Sequence, residues 1–186
     1  MLPQPVQAGP PRVPEYHSPE WQRRTTALRA LYALYAWPIF LLLAGVALLP
    51  LLLLPKLAAR RQLIRLVARS ALRLGGMRLT ASGMASIPLP CVVVANHASY
   101  LDGVVLAATL PPHFGFVIKR EMSRVPVAGW LLERIGAYFV ARNQGAGSAR
   151  DALRVMRGAR GGEALAFFPE GTFRHQPGLM RFHTGA

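Results

Sequence analysis

Acidic residues and cysteine are both scarce in this sequence. Eight Asp and Glu stand against 22 Lys and Arg, a formal charge of +14 on 186 residues, 52% of them hydrophobic. That imbalance points to a partner both apolar and negatively charged, and a phospholipid surface meets both conditions. Nucleic acid would satisfy the charge alone. Its binders seldom carry a long uncharged apolar run, and no basic-aromatic module is present, so no nucleic-acid partner is expected. The lone Cys91 excludes an internal disulfide and favours a reducing compartment. It sits in the apolar run Cys91-Val92-Val93-Val94-Ala95, where a small buried thiol is expected and a nucleophile is not. Metal ligands and nucleotide loops are missing too. His113, His175 and His183 have no Cys or acidic partner at ligand spacing. Gly145-Ala146-Gly147-Ser148 lacks the lysine of a phosphate-binding loop and reads as a helix start. No metal, nucleotide or other cofactor is implied, and the length allows one compact domain plus an appendage.

Charge is absent altogether from Ala30 to Pro55. The apolar run from Leu31 to Leu54 is long enough to cross a hydrocarbon core of about 30 Å at about 1.5 Å per residue. A cleaved signal peptide would be shorter, nearer the start and followed by a small-residue cleavage site. Pro38 and Pro50 each remove a backbone donor and are expected to kink a helix, so a single span and a helical hairpin dipping into one leaflet both fit. Arg23, Arg24 and Arg29 precede the run, and Lys56, Arg60, Arg61, Arg65 and Arg69 follow it. The more basic C-terminal side is expected in the cytoplasm. Upstream, the proline-rich stretch has too little apolar bulk to offset the entropy of ordering, and residues 1–20 are expected to be a disordered tail. Downstream, Arg61, Arg65, Arg69 and Arg73 recur at one-turn spacing, with Leu63, Ile64, Val67, Ala71 and Leu74 on another face. Such a helix lies at a membrane surface with its arginines toward anionic headgroups, or it packs on a globular domain and leaves a solvated basic face. Residues 21–75 therefore read as a membrane-anchoring helical region.

After Gly75-Gly76 short apolar runs alternate with helical stretches. The pattern predicts strands near 91–95, 114–118, 137–141 and 164–168, and helices near 100–110, 122–134 and 148–160. Strand, helix, strand in repetition is the signature of an α/β domain. A mixed sheet with flanking helices and crossover connections is expected over residues 76–186, behind the membrane-associated helical segment.

Two strand ends carry candidate chemistry. Val92-Val93-Val94-Ala95 reads as a buried strand that ends in Asn96-His97, and a helix starting near Ser99 would carry Asp102 in its first turns. A carboxylate facing a histidine keeps one ring nitrogen protonated and stabilises the imidazolium that forms when the other takes a proton. That suits activation of a hydroxyl group. Alone, the pair is a weak signal and reads sooner as a surface turn with a helix-starting Ser or Asp. A second strand end, Phe167-Phe168-Pro169-Glu170-Gly171-Thr172, offers backbone amides and a hydroxyl that can meet an anion or orient a neighbour. Lys119 and Arg120, after a further strand, could meet phosphate or form a solvated pair.

Taken together, Asn96-His97-Ala98-Ser99-Tyr100-Leu101-Asp102 and Phe168-Pro169-Glu170-Gly171-Thr172 resemble the first and third motifs of the glycerophospholipid acyltransferase family, whose best-known members convert lysophosphatidic acid to phosphatidic acid. Gly136-Ala137-Tyr138-Phe139-Val140-Ala141-Arg142 is similar to the second. The resemblance implies His97 and Asp102 as the catalytic pair. It places Asn96, Ser99, Arg142, Glu170, Gly171 and Thr172 around the substrate, and Lys119 and Arg174, which lie outside these motif segments, are added as basic residues that could meet the substrate. Arg142 and the Glu-Gly-Thr segment inherit the binding of the acceptor's glycerol phosphate, a role that suits a guanidinium. Phe173 stands where many lysophosphatidic acid acyltransferases have an arginine, and the family's fourth motif does not occur before Ala186. The acyltransferase domain is therefore expected to be C-terminally incomplete. The implied reaction moves an acyl group from acyl-CoA or acyl-carrier protein to the hydroxyl of a lysophospholipid, with lysophosphatidic acid the leading acceptor. Lyso-ornithine lipid is the alternative acceptor, and a non-catalytic membrane-surface binding protein the alternative class. The expected location is the inner membrane, with the catalytic domain on the cytoplasmic side.

Overall fold

The structure is a computed structural model and describes residues 19–141 and 146–171 together with Phe182. Most of the expected tail thus lies outside the described residues. Helix α1 runs from Pro19 to Leu53, and its stretch Thr26–Leu53 is long and apolar enough to cross a membrane. Those 28 residues reach about 42 Å at about 1.5 Å each, more than a hydrocarbon core requires. The helix is continuous through Pro38 and Pro50. It stops before Pro55, with Leu54 N–H still bonded to the Pro50 carbonyl at 2.9 Å. The chain divides at Pro38 into two compact units, and the features below belong to the second, from Ile39 onward.

Helix α2, Leu57–Leu74, joins two apolar clusters. Leu63, Ile64 and Val67 pack with Ala47, Leu51 and Ile135, while Ala68 and Leu72 pack with Ala108, Val104 and Val105. The arginine row on α2 departs from the expected membrane-facing stripe. Arg61 is buried, donating from Nε to the Ile135 carbonyl at 2.9 Å and from Nη2 to Glu163 Oε1 at 2.6 Å. Arg65 reaches the Thr109 carbonyl. Arg69 and Arg73 remain exposed and, with Arg78, line an open groove of about 750 Å³ that also includes Leu66, Met77 and Leu79. The cause is helical drift. Four residues turn about 400°, so each step rotates the row by about 40° and three steps carry it about 120° around the helix.

Strand β1, Val92–Val94, leads into α3, Leu101–Thr109. Strand β2, Phe114–Lys119, is followed by a 3-10 turn and by α4, Ala128–Arg134. Strand β3, Tyr138–Val140, α5, Ala146–Arg160, and β4, Ala164–Phe167, complete the described elements. The strands lie in the order β1-β4-β2-β3, and every pairing among the described residues is parallel. The α/β class with flanking helices agrees with the expectation. The mixed pairing is replaced by parallel pairing, because each connection crosses through a helix and returns in the same direction.

One core lies between α3 and the sheet, where Leu110, Phe114, Ala164 and Ala166 are buried and Cys91, Val93, Leu106 and Phe116 close around them. Strand β4 is central and wholly buried over Ala164, Leu165 and Ala166. Strand β1, expected to be buried, is an edge strand among the described residues: Val93 faces the core, but Val92 and Val94 are 54% and 53% exposed. At the opposite end of the sheet Glu163 ties three elements together. It pairs with Arg61 and accepts the Tyr138 hydroxyl at 2.5 Å. Burial, and then the hydrogen bond to this carboxylate, push the Tyr138 phenol up to about 12.

Removing one member of a buried ion pair strands the other, so Arg61→Ala is expected to cost about 3 kcal/mol of stability. On the exposed side, Arg69→Ala should change stability by less than about 0.5 kcal/mol. Unfolding of the detergent-solubilised protein measures both, and equal effects would contradict the division of the row.

Candidate active site

The parallel register of β1 against β4 builds the site. Val94 pairs with Phe167, and the Ala95 N–H continues the ladder to the Phe167 carbonyl at 3.2 Å. Residues the same distance beyond the two strands therefore emerge side by side, at the carboxyl end of the sheet where α/β folds form their clefts. His97 and Glu170 are such a pair. The His97 main-chain N–H donates to Glu170 Oε1 at 2.9 Å.

Asp102 stands at the second position of α3 and faces back to the loop. Its Oδ2 lies 2.9 Å from His97 Nδ1 and accepts the N–H groups of Ala98 at 2.7 Å and Ser99 at 2.8 Å. Burial raises the Asp102 carboxyl, but the hydrogen bonds from His97, Ser99 and Ala98, and then the charge of His97, outweigh it. The net position is below the ordinary carboxylate value, which keeps Asp102 ionised at neutral pH. An ionised carboxylate can only accept, so Nδ1 carries the hydrogen and Nε2 is the basic nitrogen. The imidazole also stacks on Phe168, with ring centroids 4.2 Å apart and planes 16° from parallel.

Other expected site residues take different positions. Ser99 Oγ accepts the Leu101 N–H at 3.1 Å and helps to start α3. Asn96 is exposed on the loop before His97. Lys119 ends β2 at the same carboxyl end of the sheet and pairs with Glu121 at 3.2 Å, with both side chains substantially exposed. Glu170 is only 1% exposed. Gly171 adopts φ +68°, a conformation open to glycine, and its N–H closes a turn to the Phe168 carbonyl at 3.0 Å. Arg142, Thr172 and Arg174 lie outside the described residues.

Two features escaped sequence reasoning. Phe168 was part of a recognised motif, yet its stacking on His97 required the sheet register. Asp151 on α5 is 2% exposed, accepts the guanidinium of Arg120 after β2, and takes the Ala141 N–H at 2.9 Å at the end of β3. A lone Asp within a helical pattern carries no signal that it is buried. Among the described residues, no group of three or more His, Cys, Asp or Glu side chains is gathered as for a metal ion.

Comparisons with known proteins bear on this geometry. The acyltransferase family model matches residues 78–186. The chain is 37% identical over 94 residues to a lyso-ornithine lipid O-acyltransferase of Pseudomonas aeruginosa, covering 50% of this chain and 35% of that protein. It is 31% identical over 107 residues to a chloroplastic 1-acyl-sn-glycerol-3-phosphate acyltransferase of Brassica napus, covering 56% and 31%. The chain thus spans about a third of the length of these curated relatives. Its fold is similar to the crystal structure of the 1-acyl-sn-glycerophosphate acyltransferase PlsC of Thermotoga maritima, with a TM-score of 0.66 and 21% identity over 86% of this chain and 67% of that one. The family match takes in more than half of the chain, including β1, β4 and the His97–Asp102 pair between them, and the protein belongs to the acyltransferase family.

Proposed function

We propose that this protein acylates a lysophospholipid at a membrane surface, with His97 as general base. The observation that carries the reading is the His97–Asp102 pair, held between two parallel strand ends with Asp102 kept ionised by three donors. His97 Nε2 removes the proton from the acceptor hydroxyl as its oxygen attacks the carbonyl carbon of a thioester donor, acyl-CoA or acyl-carrier protein. The C–S bond then breaks, the proton passes to the sulfur, and an ester and a thiol leave. Asp102 stabilises the transient imidazolium. The acyl group moves directly, since the one serine beside the pair, Ser99, is engaged at the start of α3.

Lysophosphatidic acid is the proposed acceptor, with Arg142, directly after the β3 end that Asp151 holds, gripping its phosphate through two parallel hydrogen bonds. Lyso-ornithine lipid is the second reading. It is favoured by two relatives named for that substrate, at 37% and 36% identity, and by Phe173 in the place of an arginine. The length and apolar character of the helix Thr26–Leu53 support a reaction at a membrane, where Arg69, Arg73 and Arg78 suit anionic headgroups. The proposed location is the cytoplasmic face of the inner membrane, in keeping with the more basic side after the apolar helix.

His97→Ala should lower thiol release from the donor by about 10² to 10⁴, the usual worth of a general base. Asp102→Asn should reduce it less, because the base itself remains. Equal rates for wild type and His97→Ala, in membranes carrying equal amounts of protein, would remove the mechanism. Arg142→Ala should raise the acceptor KM far more than the donor KM for lysophosphatidic acid, and Arg142→Lys should recover part of the loss. Preferential turnover of lyso-ornithine lipid in the same assay would establish the second reading instead. High salt should leave the full-length protein with the membrane fraction, since screening weakens charge attraction but not apolar insertion; release into the soluble fraction would contradict membrane embedding.

A further inference from the structure

We infer that the open groove beside α2 holds the phosphate-bearing nucleotide end of an acyl-CoA donor. The inference rests on the thioester chemistry proposed for His97 and assigns a place to the far end of the donor. Helix α2 runs in the direction of the strands. Arg61, in its first turns, meets Glu163 just before β4 begins, and Arg65 donates to the carbonyl of Thr109, the last residue of α3. Helix α3 returns from the carboxyl end of the sheet, so α2 and α3 pack antiparallel. About two turns on from Arg65, Leu72 then stands about level with Asp102. Arg69 and Arg73 therefore climb toward the end of the sheet that carries the His97–Asp102 pair. Packed helices lie about 8–10 Å apart, a gap that the long pantetheine arm between nucleotide and thioester covers.

The lining suits that end of the donor. Arg69 and Arg73 stand on one stripe of α2 with Leu66 a turn before them, and the returning chain adds Met77, Arg78 and Leu79. All three arginines are exposed, and the lining contains no acidic residue. Among the described residues no ion pair or side-chain hydrogen bond occupies their guanidinium groups. Arg60, Arg61 and Arg134 differ, since their donors are engaged by carbonyls. Three unengaged cationic forks around an apolar floor match a ligand with several phosphates and a flat apolar body. A nucleotide that bears a diphosphate and a ribose phosphate has both, and a groove of about 750 Å³ is of the size that holds such ligands. Lipid headgroups share the phosphate chemistry, but an ordinary diacyl phospholipid brings one phosphate and needs no concave apolar floor.

The test is CoA itself, titrated by calorimetry into the detergent-solubilised full-length protein without acceptor, beside adenosine 3′,5′-bisphosphate. Arg69→Gln combined with Arg73→Gln should weaken both ligands about tenfold or more. In acyl transfer the same variant should raise the KM of acyl-CoA about tenfold, and that of S-acyl-pantetheine, which lacks the nucleotide, by less than about twofold. Both positions are exposed, so the variant is expected to fold; if it does not, Arg78→Gln on the opposite wall is read in its place, with a rise of about threefold or more expected. No CoA binding by the wild type, unchanged CoA affinity in the variants, or an equal rise for the two donors would overturn the inference. Unchanged CoA affinity together with loss of binding to vesicles rich in anionic phospholipid would give the groove to headgroups instead. A raised KM for acyl-carrier protein alone would give it to an acidic protein surface. Binding is read without turnover, so His97→Ala should take up CoA as the wild type does, and equal transfer rates for those two would end the catalytic reading while leaving the groove to be judged by the titrations.

Discussion

The pairing of β1 with β4 is the constraint on which the site depends. Parallel strands hydrogen-bonded at Val94 and Phe167 deliver their following residues to the same level, so the histidine loop and the Glu-Gly turn meet although they are distant in sequence. A slip of one residue would exchange the two faces of β1 and carry His97 away from both Glu170 and Phe168. The register is secured where the sheet is buried. Ala164 and Ala166 are small enough for Leu106 and Leu110 to close over β4, and Val93 of β1 is drawn into the same core. Edge position costs β1 half the cover of Val92 and Val94, yet it leaves the loop after the strand open for chemistry.

The charge surplus divides between inside and outside. Arginines supply donors where helices end and carbonyls lack partners. Arg134 donates to the carbonyls of Leu51 and Leu52, and Arg60 donates to those of Leu54, Pro55 and Arg134. Arg61 satisfies Ile135 and balances Glu163. The few acids are used with equal economy. Glu163, Asp151 and Glu170 each bind groups from separate elements, and Asp102 gathers two amides and an imidazole on a single oxygen. In a chain with eight acidic residues, these four placements hold α2, α5 and the loops after β1 and β4 to the sheet.

Much of the fold was legible because its signals are local. The uncharged run gave α1, alternating apolar and helical stretches gave the order of strands and helices, and His97 with Asp102 could be paired since a strand end and a first helical turn lie close along the chain. Where the chain only appears periodic, inference failed. The arginines of α2 look like one row, but helical drift turns Arg61 into the core and Arg73 to the surface. Val92-Val93-Val94 looks like a buried strand, but burial depends on how many neighbours a strand has, and β1 has one among the described residues.

The sequence by itself determined the α/β class, the apolar helix, the pairing of His97 with Asp102 and the family resemblance, since each is written in neighbouring residues or in motifs of fixed spacing. Only the tertiary structure decided what Glu170, Phe168, Asp151 and Arg61 do. Their partners are brought by sheet register and helix packing from elsewhere in the chain, and an acidic or aromatic side chain looks the same in sequence whether it meets solvent, substrate or the backbone of a distant loop.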